Sequence, residues 1–197
     1  MEYENVDFQG FRGDIYVKEA VIPEGASIIP KSQFFGCRSL EKVCLPESVS
    51  VIEDYAFADC NVLKVWESME KLSLKSVGIS AFENCYALEF ISLPDSLTVI
   101  EGAAFADCVS VNKLIFSDTS LLKKIGDHAF RGCRNLKEVY LPDGVEYVGI
   151  SAFRDCVSLE QISVSEKIKD QPGIAELEKN CPNARIRFRE VNSVEEE

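Results

Sequence analysis

The chain has 197 residues, 46% hydrophobic and 27% charged, with 7 Pro and 11 Gly, a balance that suits one domain or a modest repeat array and excludes disordered, collagen-like and linker-dominated chains. Its 33 acidic residues against 21 basic ones leave a net charge of −12. That charge opposes any sequence-independent grip on phosphate backbones or anionic lipid, so neither nucleic acid nor a membrane surface is expected as a partner.

Residues 1–10 carry Glu2, Glu4 and Asp7 and no apolar run, and read as a leader that is neither a signal peptide nor a membrane anchor. No later stretch reaches the roughly 18 apolar residues of a spanning helix. A chain that begins naturally at Met1 is expected in the cytoplasm; one that has lost a secretion signal belongs at the cell surface or outside the cell.

Residues 11–33 hold Phe11-Arg12-Gly13-Asp14, then Val17, Ala20, Ile22 and Pro23, a pattern that recurs in stronger form downstream. Phe34, Phe57, Phe82, Phe105, Phe130 and Phe153 each stand three residues before a cysteine, and an Ala precedes five of the six. Cys37, Cys60, Cys85, Cys108, Cys133, Cys156 and Cys181 follow one another at 23, 25, 23, 25, 23 and 25 residues. Regular spacing of this kind marks a repeat rather than a disulfide framework. Asp14 falls 23 residues before Cys37, so 11–33 reads as a worn capping coil with a polar residue in the cysteine position.

Three residues after each cysteine comes an aliphatic side chain (Leu40, Leu63, Leu88, Val111, Leu136, Leu159). Val43, Trp66, Ile91, Leu114, Val139 and Ile162 stand six after it, which places Trp66 in the core column. Positions six and eight alternate with polar ones, the period of a short strand with one buried face. Pro23, Pro46, Pro94 and Pro142 then end their strands, because proline cannot donate to a ladder. A second apolar pair follows (Val49 and Ile52, Leu97 and Ile100, Val145 and Val148) and is expected to face the same core from the opposite wall. The longer units replace Leu-Pro by Ser68-Met69-Glu70-Lys71, Ser117-Asp118-Thr119-Ser120 and Ser165-Glu166-Lys167, as duplication of a two-coil block would leave them. No unit of this size buries its apolar face alone, so the units must stack, with strands about 4.8 Å apart.

After Lys169 the pattern breaks. Pro172 to Lys179 reads as a short helix opened by proline, with Ile174 and Leu177 on one face. Cys181 re-enters the frame, and Arg185-Ile186-Arg187-Phe188-Arg189 alternates like a final strand whose arginines suit an exposed edge. The expected organisation is therefore a leader (1–10), about seven coils (11–169), a capping helix and strand (170–189) and an acidic tail (190–197).

The unit Ala-Phe-x-x-Cys-x-x-Leu-x-x-Val-x-Leu-Pro-x-Ser-Val-x-x-Ile resembles the leucine-rich repeats of the BspA type, also called Treponema pallidum-type repeats, over about residues 11–164. The resemblance implies a leucine-rich-repeat solenoid, a curved right-handed coil of short β-strands and turns with a parallel concave sheet. It also implies a role in protein recognition, often as a surface protein of bacteria or protozoa.

Candidate chemistry is sparse. The cysteine series reads as buried free thiols acting as small apolar filler, since metal binding needs clustered ligands such as paired Cys-x-x-Cys. Cys44 occupies a polar phase of its strand beside Lys42 and reads as a packed surface thiol. His128, the one histidine, sits before Ala129-Phe130 where other units have Ser32, Tyr55, Ser80, Ala103 and Ser151, a position expected to face solvent. Phosphate-loop, dinucleotide and nucleophile-elbow motifs are missing, so no catalytic residue, metal or cofactor is assigned.

The concave rows say more. Four after the cysteine position stand Lys18, Glu41, Lys64, Glu89, Asn112, Lys137 and Glu160, whose alternating signs suggest lateral pairing that fixes coil order. On adjacent coils Phe90, Ile115 and Tyr140 occupy solvent-facing phases, a plausible contact patch, and Lys42 and Lys113 complete the candidate binding set. The expectation is a monomeric, non-enzymatic module that binds a protein partner on its concave sheet; the alternative is a scaffolding segment of a larger adhesin-like surface protein.

Overall fold

The computed structural model describes residues 11–67 and 72–190, without the side chains of 65–67. The leader, the Ser68–Lys71 insertion, the Trp66 side chain and the tail beyond Glu190 lie outside that description. The chain winds as a solenoid in which long and short strands alternate. The long ones are β1 (Glu19–Val21), β3 (Lys42–Cys44), β5 (Val65–Glu67), β7 (Phe90–Ser92), β9 (Lys113–Ile115), β11 (Glu138–Tyr140) and β13 (Gln161–Ser165). Between them lie the two-residue strands β2 (Ile28–Ile29), β4 (Val51–Ile52), β6 (Ser76–Val77), β8 (Val99–Ile100), β10 (Lys124–Ile125) and β12 (Tyr147–Val148). Every pairing is parallel.

The alternation read from the sequence matches the burial. Val43, Ile91, Leu114, Val139 and Ile162 point into the core, and their strand neighbours face outward or lie half-buried, Ser163 apart. Val49, Ile52, Leu97, Ile100, Val145 and Val148 close the core from the opposite wall. That wall is itself a sheet, β12-β10-β8-β6-β4-β2, unbroken over six strands, which two-residue strands gave no pattern long enough to reveal.

A third wall is built by the Ala-Phe-x-x-Cys turns. Each turn holds two residues at left-handed φ, one two positions before the Phe (Ser32, Tyr55, Ser80, Ala103, His128, Ser151) and one just before the cysteine (Gly36, Asp59, Asn84, Asp107, Gly132, Asp155). Gly, Asp and Asn tolerate that region best, which explains their recurrence before the cysteine. Amides two residues apart then donate to the next coil: Ser80 to Gly102, Phe82 to Ala104 and Asn84 to Ala106, at 2.7–2.9 Å.

Inside this wall the side chains stack as columns. Phe34, Phe57, Phe82, Phe105, Phe130 and Phe153 lie parallel, with centroids 5.1–5.4 Å apart, and Phe11 adds a tilted ring at 5.4 Å. Each such pair contributes about 0.5–1.5 kcal/mol beyond the area it buries.

The long-strand sheet departs from the single parallel sheet that was expected, for its ladder falls into three pieces, β1-β3-β5, β7-β9 and β11-β13-β14. Both breaks fall where corresponding residues are 25 rather than 23 apart, after β5 and after β9. The two extra residues enter between a long strand and the short strand that follows, while the short-strand sheet keeps its register across both longer coils.

At the C-terminal end the expected helix is split into α1 (Pro172–Ala175) and α2 (Leu177–Asn180), with Ile174 and Leu177 buried as expected. Gly173 lies so close to the Val148 carbonyl that a Cβ would sit 2.5 Å from it. β14 (Arg185–Arg189) pairs with β13 over five residues. Arg185 and Arg187 are exposed, but Arg189 turns back to the Leu141 carbonyl and to Asp143.

Two stability outcomes follow from these columns. Phe105→Ala removes a central ring and is expected to cost about 3–5 kcal/mol in urea unfolding. Gly126 faces the preceding coil at a point where a Cβ would lie 2.5 Å from the Gly102 amide, whereas a Cβ on Gly144 meets nothing closer than 3.6 Å. Gly126→Ala should therefore lose about 1–3 kcal/mol and Gly144→Ala stay within about 0.5 kcal/mol of the parent; equal midpoints for the two variants would contradict the close approach.

Candidate functional site

The thiols are the first group to place. Cys37, Cys60, Cys85, Cys108, Cys133, Cys156 and Cys181 are buried and unpaired with one another. Each Sγ donates to the carbonyl of the Phe one coil back: Cys37 to Phe11, Cys60 to Phe34, Cys85 to Phe57, Cys108 to Phe82, Cys133 to Phe105, Cys156 to Phe130 and Cys181 to Phe153, at 2.7–3.4 Å. The filler role read from the sequence is thus joined by a hydrogen-bonding one. In the first coil Asp14 accepts from the Tyr16 and Val17 amides instead.

Burial pushes every one of these thiols upward, Cys37 and Cys181 from 9.0 to about 11 and Cys85, Cys108, Cys133 and Cys156 well above 9.0. A thiolate is the reactive form, so these sulfurs are poor nucleophiles at neutral pH. Cys44 is half-buried on the long-strand face. Among the described residues no group of three or more His, Cys, Asp or Glu is placed to hold a metal ion.

His128 departs from the solvent-facing expectation. It is half-buried at φ +58°, and its Nδ1 is buried without a hydrogen-bond partner. At the same position Ser80 and Ser151 are buried, Ser32 and Ala103 half-buried and Tyr55 exposed, and the His128 amide reaches Ile150 of the next coil at 3.0 Å. The position belongs to the turn wall and assembles no nucleophile–base pair.

The long-strand face carries the exposed candidates. Phe90, Ile115 and Tyr140 are 44%, 36% and 48% exposed. Phe90 lies beside Lys113, and Ser92 beside Ile115, on the continuous β7-β9 piece. Tyr140 stands across the break on β11, where its hydroxyl donates to Glu138 at 3.2 Å and accepts from the Gln161 amide at 2.9 Å. Lys113 is exposed and Lys42 half-buried on the same face. The three apolar side chains thus run diagonally over consecutive coils, in two rows rather than one.

The alternating row from Lys18 to Glu160 does not pair as expected. Its backbone links the coils, Glu41 N to Lys18 O at 2.7 Å and Glu160 N to Lys137 O at 2.8 Å, but the ion pairs found among the described residues lie elsewhere. Lys124–Glu101 (2.8 Å), Lys123–Glu146 (2.9 Å) and Lys31–Asp54 (3.5 Å) line the short-strand side. Exposed charges gain too little from pairing in water to be held together by sign alone.

Two residues that spacing could have added are Arg187 and Arg185. The β13–β14 register sets Arg187 beside Ser163 and Arg185 beside Gln161, in the rows of Tyr140 and Glu138 respectively. The signal was the 24-residue step from Gln161 to Arg185. At the other end, Arg12, Gly13, Ile15, Phe35, Gly36, Arg38 and Asp59 line an open groove of about 460 Å³, with the Arg12 guanidinium over the Phe35 ring at 5.4 Å.

Parallel coils, a continuous short-strand sheet and a variable outer face define a β-solenoid of the leucine-rich-repeat type. The chain belongs to the BspA type leucine rich repeat region family, which it matches in six copies over residues 4–119 and 65–175. A leucine-rich repeat protein of Bacteroides ovatus shares the fold at 22% identity and TM-score 0.63, over 91% of this chain and 62% of that one. The T. pallidum leucine rich repeat protein is 28% identical with TM-score 0.57, over 88% of this chain and 69% of its own. The pneumococcal vaccine antigen PcpA is 26% identical with TM-score 0.65, over 76% of this chain and 41% of its own. This chain thus spans about three fifths of the Bacteroides protein's length. No curated protein matches it.

The thiol assignments have two measurable outcomes. In the native state at pH 8, Cys44 is expected to react with a thiol reagent and the seven ladder cysteines only after unfolding. A thiol pKa raised by folding means that the native state keeps its proton longer than the unfolded chain. Its contribution is complete below pH 9 and is lost as pH climbs toward 11 and beyond. Urea midpoints should therefore fall over that range, and fall less steeply in Cys37→Ala or Cys181→Ala; a flat profile in the parent chain would contradict the shift.

Proposed function

We propose that this chain is a non-enzymatic recognition module that binds a protein partner on the outer face of its long-strand sheet. The observation that carries the reading is the diagonal of Phe90, Ile115 and Tyr140, large apolar side chains exposed on three consecutive coils of the long-strand face. Aromatic anchors dominate interface energetics, and a face built from short, rigidly stacked strands presents them with little conformational freedom to lose. Lys113 beside Phe90, and Lys42 two coils away, supply polar contacts at the rim. Among the described residues no helix is long and apolar enough to cross a membrane.

A surface setting is supported by family membership and by a neighbour described as a leucine rich cell surface protein from Faecalibacterium prausnitzii, 23% identical with TM-score 0.56. A second reading, that the chain is a scaffolding segment of a longer surface protein, is favoured by the fraction of its structural neighbours that it spans.

The test is a capture experiment from the native source with the parent chain and with Phe90→Ala/Ile115→Ala/Tyr140→Ala. The triple variant should unfold within a few degrees of the parent, since all three side chains are exposed, and should lose the partners that the parent retains. Retention of the same partners by both chains would move the binding site elsewhere.

A further inference from the structure

The long-strand face is electrically uneven although the chain as a whole is strongly acidic. From β9 onward its outward rows carry Lys113, Lys137, Arg185 and Arg187 against Glu138 and Glu160. Before β9, among the residues whose side chains are described, Glu19, Glu41 and Glu89 balance Lys18, Lys42 and Lys64. The positive half contains Ile115 and Tyr140 and borders Phe90. Arg185 and Arg187 are exposed and make no ion pair with another described residue, whereas Arg189 of the same strand is held by Asp143 at 2.6 Å. Glu138, on the same strand as Tyr140, already accepts from the Tyr140 hydroxyl.

The continuous β11-β13-β14 ladder sets the geometry. Tyr140, Ser163 and Arg187 stand in one row, and the small Ser163 between the two large side chains is 3% exposed. Two strand spacings separate Tyr140 from Arg187, about 10 Å. On an extended peptide, side chains on one face recur about every 6.7 Å, so residues two and four apart bracket that distance. The guanidinium fork is suited to a carboxylate rather than to a lone acceptor.

Resting on the binding face proposed above, we propose that its C-terminal half takes an extended acidic segment, in which an aromatic or aliphatic residue packs on Ile115 and Tyr140 and an Asp or Glu two to four positions away meets Arg187 and Arg185. The face thereby selects partners by charge as well as by apolar contact.

The probe is a fluorescein-labelled peptide, Gly-Phe-Ser-Glu-Ser-Glu-Ser-Gly, compared with its Gln-for-Glu counterpart by fluorescence anisotropy on the full chain. The acidic peptide is expected to bind about tenfold more tightly than the neutral one, and the preference should shrink as salt is raised. Arg185→Gln/Arg187→Gln should bring the ratio to about one without changing the neutral peptide's affinity. A ratio that survives this double variant, or no binding of the acidic peptide at millimolar concentration, overturns the charge selection. Phe90→Ala/Ile115→Ala/Tyr140→Ala should abolish binding of both peptides; unchanged binding of both in that variant brings down the face assignment itself, a result distinct from loss of the charge preference alone.

Discussion

The buried carbonyl of the turn phenylalanine is the constraint on which this solenoid depends. Its amide is used by the next coil, as in Phe82 N to Ala104 O at 2.7 Å, and its ring fills the core column. The carbonyl faces a space from which water is excluded and accepts first from the cysteine amide of its own turn, as Phe82 O does from Cys85 N at 3.2 Å, which leaves its second lone pair to be met. The thiol of the following coil meets it: Cys108 reaches Phe82 O at 3.2 Å, and the same bond recurs at all seven ladder cysteines. Alanine would remove this second donor and leave the carbonyl only the amide of its own turn. Cysteine combines small volume, apolar character and one weak donor, and burial keeps it protonated and inert.

This bond also explains why the array tolerates unequal coils. Turn wall and short-strand sheet are locked in register by hydrogen bonds and by side-chain columns, so the two residues added in the longer coils are expelled toward the long-strand side. The ladder there breaks after β5 and after β9, whereas the β2-to-β12 sheet does not. Variation is thus confined to the wall that contributes least to coil order, and on that wall the outward side chains are free to differ from coil to coil.

Much of this was legible before any coordinates. The cysteine spacing announced stacked coils, the period-two alternation placed Val43, Ile91, Val139 and Ile162 inside, and the second apolar pair was correctly set on the opposite wall. The outward phase of Phe90, Ile115 and Tyr140 also followed from that alternation. Three expectations failed, the first being the single long-strand sheet, whose ladder breaks after β5 and after β9. The charge row from Lys18 to Glu160 forms no ladder of ion pairs, because side chains in water are not held by sign alone. His128 is half-buried, and it is its amide rather than its imidazole that the turn wall uses.

The sequence by itself determined that the chain stacks and which side chains are inside, since periodic burial is a one-dimensional property that spacing records. Only the tertiary structure decided which neighbour each group meets. The thiol-to-carbonyl bonds, the left-handed turn residues, the breaks in one sheet and the alignment of Tyr140 with Arg187 all join atoms some 20 to 50 residues apart or depend on backbone angles. Such relations are fixed by how one coil sits on the next, and no local pattern of residue types encodes that contact.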